Sequence, residues 1–426
     1  KSLEDFLNTI PVAGPKIVTK LKRSKDSIKQ LFVPGMLFEN MGITYIGPID
    51  GHNIDHMLQA FEAASQSDGP VLVHVVTKKG KGYSFAQNNP AKYHGVGPFD
   101  VGTGKPMKKC GTSYTDIFGK RIYSYAKGDT RIVAVCAAMA DGTGLTDFAK
   151  EFKDRFFDVG IAEEHAVTFA AGLATQGFIP FVAIYSTFLQ RAYDQIVHDV
   201  CKNRLHVIFA VDRAGIVGQD GETHQGIFDV SYLSGIPQMV LMAPKNGKEL
   251  ERMLDFALDY DGPVAIRYPR GEASLALEDR DAPIELGKSE VICEDGSDVV
   301  FFAFGNMVET AFEVSRRLKE QGIGSTVINM RFAAPFDREA LKKYSESAGL
   351  VVSMEENVRR GGLGQAIAAY LSEEGVALKS FIDVSLPDTY LCQGRPDELK
   401  KANHTDAEGV LAQVLEKLHK IKSETN

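Results

Sequence analysis

"DVGIAEEHAV" (158–167) marks the place where an apolar run, "RFFDVGI" (155–161), gives way to an Ala-rich helical pattern. A short β-branched or aromatic run followed directly by a helix is the repeating unit of parallel α/β folds. The switch also places Glu163, Glu164 and His165 just past the carboxyl end of a strand, and in open parallel sheets ligands bind beyond those ends. One stretch therefore decides the fold class and the region in which to look for chemistry.

The same alternation continues in both directions. Toward the C-terminus of this stretch come "FIPFVAIY" (178–185), "LHVIFAVD" (205–212), "QMVLMAP" (238–244) and "PVAIRYP" (263–269), and before it "RIVAVCAAM" (131–139). These predict one parallel-sheet block over 112–270. Residues 271–297, charged and Pro-containing, read as a linker. A further block over 298–426 carries "DVVFFAFG" (298–305), "STVINM" (325–330), "LVVSME" (350–355) and "SFIDVSLP" (380–387), and closes on a helix at 407–421. Upstream, "ITYIGP" (43–48), a helical stretch at 53–65 and "PVLVHVVT" (70–77) make only about one βαβ unit within 1–94. The Gly-, Pro- and Lys-rich 95–111 lacks periodicity and reads as a linker.

Composition narrows the function. With 426 residues, more than one domain is expected. Forty-eight basic and 56 acidic residues leave a net charge of −8, which disfavours nucleic acid or an anionic membrane as partner. The longest apolar runs, such as "IVAVCAAMA" (132–140), are about half of a membrane span. Five cysteines without a C-x-x-C point to reduced thiols in a cytosol-like compartment. The chain starts at Lys1 rather than Met, so it is expected to begin inside a longer protein.

Polar residues at strand ends are the first candidates: Glu163 and Glu164, Tyr185 after "FVAI", Arg213 after "VIFAVD", and Arg270 closing "RYPR". Each has an ordinary reading, as a helix-dipole partner, a strand-end aromatic or a surface ion pair. Their joint placement on one sheet edge tells against those readings. So does the Gly-rich "GIVGQDGETHQG" (215–226), which is too long for a plain connection. His198 and His206 lack neighbours at metal-ligand spacing and read as structural, and "GGLG" (361–364) is a weak signal. His52, in "GPIDGH", lies in a strand-end loop and stays a candidate.

"YIGPIDGH" (45–52), "TKKGKGY" (77–83), "DVGIAEEHAVTFAAGLA" (158–174), "AIYSTFLQRAYDQIVHDV" (183–200), "DRAGIVGQDGETHQGIFDVSYL" (212–233) and "RYPRG" (267–271) together resemble the 1-deoxy-D-xylulose-5-phosphate synthase family of transketolase-like, thiamine-diphosphate-dependent enzymes. The resemblance covers nearly the whole chain. It implies the end of a diphosphate-binding domain (1–94), a pyrimidine-binding domain (112–270) and a C-terminal transketolase-type α/β domain (298–426). It also implies decarboxylative condensation of pyruvate with D-glyceraldehyde 3-phosphate to 1-deoxy-D-xylulose 5-phosphate and CO2. That product feeds isoprenoid synthesis and, in many organisms, thiamine. A homodimer in the cytoplasm, or in the plastid stroma of a plant, is implied as well.

By the same resemblance Glu163 bonds the pyrimidine of thiamine diphosphate, with Ile161, Phe188 and Tyr83 also at the cofactor. His94 and His224 are implied to be catalytic, and Tyr185, Arg191, Arg213, Asp220 and Arg270 to bind substrate. Glu164 and His165 receive no catalytic role. A Glu with this task must hold or share a proton, and the flanking "GIA" and "AVTFAAGLA" predict an apolar setting in which burial favours a neutral carboxyl. The family's G-D-G segment, which with a later Asn holds Mg2+ and the diphosphate, is not found in 1–426, so no metal ligands are expected in this chain. Two other readings compete. A β-type 2-oxo-acid dehydrogenase subunit or split transketolase half would lack "YIGPIDGH" and "TKKGKGY", and a non-catalytic assembly protein on the same fold would not keep the strand-end residues together.

Overall fold

In the computed structural model, which describes residues 36–90, 92–107 and 111–425, each of the runs read as strands becomes one. The chain divides into two units, Lys1–Lys108 and Lys109–Asn426. Residues 1–35 of the expected first block and 108–110 of the expected first linker lie outside the described residues.

In the first unit, β1 (Thr44–Asp50) and β2 (Val71–Val76) pair in parallel across helix α1 (Ile54–Ser65). The Asn53 side chain starts that helix by accepting from the His56 amide. The expected linker is not featureless. Strands β3 (Phe99–Asp100) and β4 (Lys105–Pro106) form a small antiparallel hairpin, closed by Asp100, whose Oδ1 accepts from both the Thr103 amide and its hydroxyl at 2.7 Å. Two-residue strands are too short to produce a period, which is why the sequence reads as a linker there.

The second unit begins with α2 (Tyr114–Gly128), opened by a Ser113/Asp116 capping box. It buries Tyr114, Phe118, Ile122 and Ala126 at four-residue spacing. Strands β5 (Ile132–Cys136), β6 (Phe156–Asp158), β7 (Ile179–Tyr185), β8 (Ile208–Asp212), β9 (Val240–Met242) and β10 (Val264–Arg267) pair in parallel. Helix α3 (Glu163–Thr175) packs on β7 through small residues such as Ala166, Ala170 and Ala171, and α4 (Gly247–Asp259) packs against α2.

A further sheet contains β11 (Glu290–Glu294), β12 (Val299–Ala303), β13 (Ser325–Asn329), β15 (Leu350–Val358) and β16 (Phe381–Leu386). Between β13 and β15 lies β14 (Phe332–Ala334). Helices α5 (Met307–Glu320), α6 (Leu363–Glu373), α7 (Pro396–Ala402) and α8 (Ala407–Thr425), with a further helix at Arg338–Glu346, belong to the C-terminal block.

Two edge strands depart from the expectation of purely parallel sheets. Strand β11 arises inside 271–297, expected to be a linker, and pairs antiparallel with β13. Strand β14, from the C-terminal block, pairs antiparallel with β9 and completes a sheet ordered β14-β9-β10-β8-β7-β5-β6. A short edge strand needs only one partner, and that partner is distant in sequence, so local periodicity does not reveal it. The two sheets also share one apolar cluster, in which Val182 and Phe209 of the first join Val300 and Phe302 of the second.

A buried ionic cluster reinforces this junction. Lys245 Nζ donates to Glu249 Oε1 (2.9 Å) and Glu290 Oε2 (2.8 Å), Arg331 Nε donates to Glu249 Oε1 (2.8 Å), and Asn329 Nδ2 donates to the same oxygen (3.0 Å). Two cations face two anions, and the four charged side chains are almost wholly shielded from solvent.

Candidate active site

The carboxyl ends of β5, β6, β7, β8 and β10 carry the candidate residues of the second unit. Asp158, closing β6, ties two of these ends together: its Oδ1 accepts from the Ala138 amide beyond β5 (2.7 Å) and from Gly160 (3.0 Å). Gly160, with φ of 75°, turns the chain so that α3 begins at Glu163. Glu163 is only 3 % exposed, whereas Ile161 two residues earlier is 79 % exposed.

The setting of Glu163 is not purely apolar. Arg191 Nη1 donates to its Oε1 at 3.0 Å, and the guanidinium keeps about half of its exposure. Arg191 can reach back because the segment after β7 is irregular. A short helix at Ser186–Leu189 passes through a 3₁₀ turn at Gln190–Ala192 and ends in a π-helical stretch at Ile196–Cys201. Such interruptions re-aim side chains and are frequent at functional positions. Arg191, expected with the substrate, thus meets the carboxylate expected to serve the cofactor.

From that ion pair a continuous row of rings and cations follows. The Arg191 guanidinium lies 5.6 Å from the Phe188 ring centroid, and Phe188 lies parallel to Tyr185 at 5.8 Å. The Arg213 guanidinium sits 4.1 Å over the other end of the row, at Tyr185, and His224 meets Phe188 edge-on at 5.4 Å. Burial pushes the Tyr185 hydroxyl up to about 12, so it stays a hydrogen-bond donor at neutral pH.

Arg213 adopts a left-handed backbone, φ 58°, which is costly for a side chain of its size. Its amide and guanidinium both engage Asp212, and Nη1 also donates to the Gly142 carbonyl at 2.6 Å. Asp212 is fully buried and accepts from Thr115 Oγ1 at 2.8 Å. Burial pushes its carboxyl up, opposed by the Arg213 charge. A Cβ on Gly142 would press on the Tyr185 hydroxyl, so glycine there leaves the Tyr185 ring its place. Arg270 Nη1 pairs with Asp220 Oδ2 at 2.7 Å, both partly exposed.

The structure therefore brings Glu163, Tyr185, Phe188, Arg191, Arg213 and His224 into one row, with Asp220 and Arg270 joined as a pair. Tyr83, His94 and His52 lie in the first unit. Tyr83 donates to the Val101 carbonyl (2.9 Å) amid Phe85, Tyr93 and Phe99, and His94 Nδ1 meets Lys79 Nζ (2.9 Å). His52 Nε2 accepts from the Lys78 amide (2.7 Å), a bond that links the loops following β1 and β2. His206 Nε2 meets the Ala257 carbonyl, and His198 pairs with Asp194 on the surface.

Reading from sequence missed Asp212, Thr115 and Gly142. Only Asp212 left a signal, as the single carboxylate ending "VIFAVD". Among the described residues, no group of three or more His, Cys, Asp or Glu could hold a metal ion, and no helix is long and apolar enough to cross a membrane. Cys136, Cys201, Cys293 and Cys392 are free, and burial pushes the first two thiols up to about 12.

Three family models match the chain: 1-deoxy-D-xylulose-5-phosphate synthase over residues 1–77, the transketolase pyrimidine binding domain over 111–274, and the transketolase C-terminal domain over 287–410. Among solved structures, a split-gene transketolase, an inactive β4 tetramer, superposes with a TM-score of 0.65 at 32% identity, covering 72% of this chain and 99% of its own. The curated 1-deoxy-D-xylulose-5-phosphate synthase of Lachnoclostridium phytofermentans is 54% identical over 97% of this chain and 66% of its own length. That of Caldanaerobacter subterraneus subsp. tengcongensis is 47% identical over 99% of this chain and 68% of its own. The chain spans about two thirds of the length of these relatives. With such identity along almost all of its residues, and with a match to the synthase's own family model over residues 1–77, the chain belongs to the 1-deoxy-D-xylulose-5-phosphate synthase family.

Proposed function

We propose that the full-length protein carrying this chain condenses pyruvate with D-glyceraldehyde 3-phosphate, releasing CO2 and forming 1-deoxy-D-xylulose 5-phosphate. The observation that carries this reading is the buried Glu163 carboxylate at the start of α3, linked through Arg191 to the partly buried Phe188 ring and so to a row that ends in Arg213. A flat aminopyrimidine fits such a pair, one face against an aromatic ring and one ring nitrogen toward a carboxyl. When bound, thiamine diphosphate supplies the electron sink for decarboxylating a 2-oxo acid.

The chain's own residues do the rest. Glu163 would share a proton with a ring nitrogen of the pyrimidine, and Arg191 orients its carboxyl group through the bond to Oε1. Phe188 and the exposed Ile161 would hold the cofactor on the second unit, and Tyr83, in the first unit, is a further cofactor residue by family resemblance. Arg213 and Arg270 bind the acceptor phosphate with their planar guanidinium forks, and the protonated Tyr185 hydroxyl donates to it. Arg270 then exchanges its Asp220 partner for phosphate oxygens. His94 and His224 pass protons near the reacting carbons, since imidazole can both give and take them near neutral pH. Mg2+ accompanies the diphosphate in this reading. The described residues supply no cluster for it, so no step is assigned to it. A cytoplasmic homodimer belongs to the same proposal, as do the three domains 1–94, 112–270 and 298–426.

The test is the full-length protein with thiamine diphosphate, Mg2+ and both substrates, wild type against Glu163→Gln. Wild type should release CO2 and form 1-deoxy-D-xylulose 5-phosphate when glyceraldehyde 3-phosphate is supplied. Glu163→Gln should lose roughly two to four orders of magnitude in turnover, the scale of lost proton-transfer help. Turnover within a few fold of wild type would remove Glu163 from the mechanism.

A further inference from the structure

Loop 215–226 is built in two halves. Its base is closed by Gly215 and Gly226, which exchange backbone hydrogen bonds at 2.6 and 2.9 Å. The later half, with His224, rests on the segment after β7, where Thr187 Oγ1 donates to the Thr223 carbonyl (2.8 Å) and His224 meets Phe188. The earlier half, 216–219, leads directly to Asp220.

The C-terminal block holds that earlier half. Ile216 donates its amide to Glu356 Oε2 at 3.3 Å, and Gln393 Nε2 donates to the Gln219 carbonyl at 2.9 Å. Gln225 works from within the loop: its Oε1 accepts from the Val217 and Gly218 amides while its Nε2 donates to the Cys392 carbonyl. Beneath these bonds Ile216 and Ile227 share an apolar cluster with Val358, Leu386, Leu391 and Leu399. A Cβ on Gly215 would run into the Glu356 carboxylate, and one on Gly218 would meet the Gly394 carbonyl, so the approach is as close as backbone allows.

Glu356 is an expensive way to hold a loop. It lies on the all-buried strand β15, where burial works against its charge, and it stays ionised because the Lys400 ammonium meets Oε1 at 2.6 Å. An apolar residue would fill this space with less desolvation but would accept nothing from Ile216.

We propose that Glu356 and Gln393 of the C-terminal block are positioning residues for the phosphorylated acceptor: they set the height of 216–219 and through it the Asp220–Arg270 pair that meets the phosphate. This rests on the function proposed above for Arg270. The block thereby tunes the second substrate's step and leaves the pyruvate step alone.

The experiment uses the full-length protein and three variants, Gln393→Ala, Glu356→Ala and Glu356→Gln. Hydrogen–deuterium exchange reads the loop directly, and steady-state kinetics reads each substrate. In Gln393→Ala, which alters an exposed side chain, the 216–219 amides should exchange about two- to tenfold faster, the range of one lost hydrogen bond, while β7 and β8 amides keep their rates. KM for glyceraldehyde 3-phosphate should rise by a similar factor, with kcat and KM for pyruvate within twofold. Glu356→Ala should act in the same direction more strongly, and Glu356→Gln, which keeps an oxygen for the Ile216 amide, should recover part of the loss. Should Glu356→Ala not fold, Gln393→Ala carries the test alone. Unchanged loop exchange in Gln393→Ala, or equal rises in both KM values, would overturn the proposal. Absence of any acceptor-dependent product from wild type would instead defeat the functional reading, with the exchange data still deciding whether the loop is held this way.

Discussion

Two groups of buried carboxylates sit in the second unit, and they are built on opposite plans. At the junction of the two sheets, Glu249 and Glu290 are enclosed by Lys245, Arg331 and Asn329, all shielded from water. At the strand ends, Glu163 meets a single guanidinium that is half in solvent, and Arg213 keeps its buried Nε without any partner. The first group is closed, with like numbers of opposite charges. The second is open, with Arg191 half in solvent and the buried Arg213 Nε left unmatched. Closure is what a structural network needs, because an unmatched buried charge costs several kcal/mol. An incomplete network that the fold nevertheless maintains implies a partner that arrives from outside.

The sharpest way to break this contrast is to delete one carboxylate from each group. Glu163→Gln should cost roughly two to four orders of magnitude in turnover with little change in Tm. Glu249→Ala should do the reverse, destabilising the second unit by about 3–5 kcal/mol because it leaves two buried cations, Lys245 and Arg331, to share Glu290 alone, with turnover per folded molecule nearly unchanged. Calorimetry and kinetics on the same preparations separate the two. A large Tm loss in the first variant, or an intact Tm in the second, would show that the two networks are not different in kind.

A third buried carboxylate sharpens the rule. Glu355, next to Glu356 on β15, feels the Arg267 charge but makes no ion pair with it. One oxygen accepts from the Gly364 amide at 2.9 Å near the start of α6, and the other has no partner. Burial pushes its carboxyl up to about 7, against an ordinary 4.5. The folded protein therefore binds a proton that the unfolded chain releases. The stability gained is full below about 4.5 and is lost as pH rises through about 7, amounting to about 3 kcal/mol in all. Glu355→Gln should abolish this loss, so that its stability advantage over wild type grows between pH 5 and 8 in denaturant titrations. A constant difference across that range would show that Glu355 is ionised in the fold.

The smallest expected effects belong to the arginines at the open end. Arg213→Ala and Arg270→Ala should each weaken kcat/KM for glyceraldehyde 3-phosphate by about 1.5–3 kcal/mol, the scale of charge-assisted hydrogen bonds. The more exposed Arg270 should lie at the lower end. An unphosphorylated aldehyde should show no such loss, and equal losses with both aldehydes would detach these residues from the phosphate.

Much of this molecule follows from its sequence taken alone, because strand, helix and strand end are local properties. The switch at "DVGIAEEHAV" places Glu163 at the start of a helix, and the polar residues that close "FVAIY", "VIFAVD" and "RYPR" mark one edge of one sheet, since the carboxyl ends of parallel strands share a side. Tertiary structure alone decided what those residues touch. Arg191 reaches Glu163 across 28 positions because a helix is interrupted, and Glu356 reaches Ile216 across 140 because an acidic pair continues β15 where an apolar pattern would end it. The edge strands β11 and β14, and the cluster of Lys245, Glu249, Glu290 and Arg331, are equally silent in sequence. Each charge there looks like surface until a second charge from another block arrives to neutralise it, and no local period encodes that meeting.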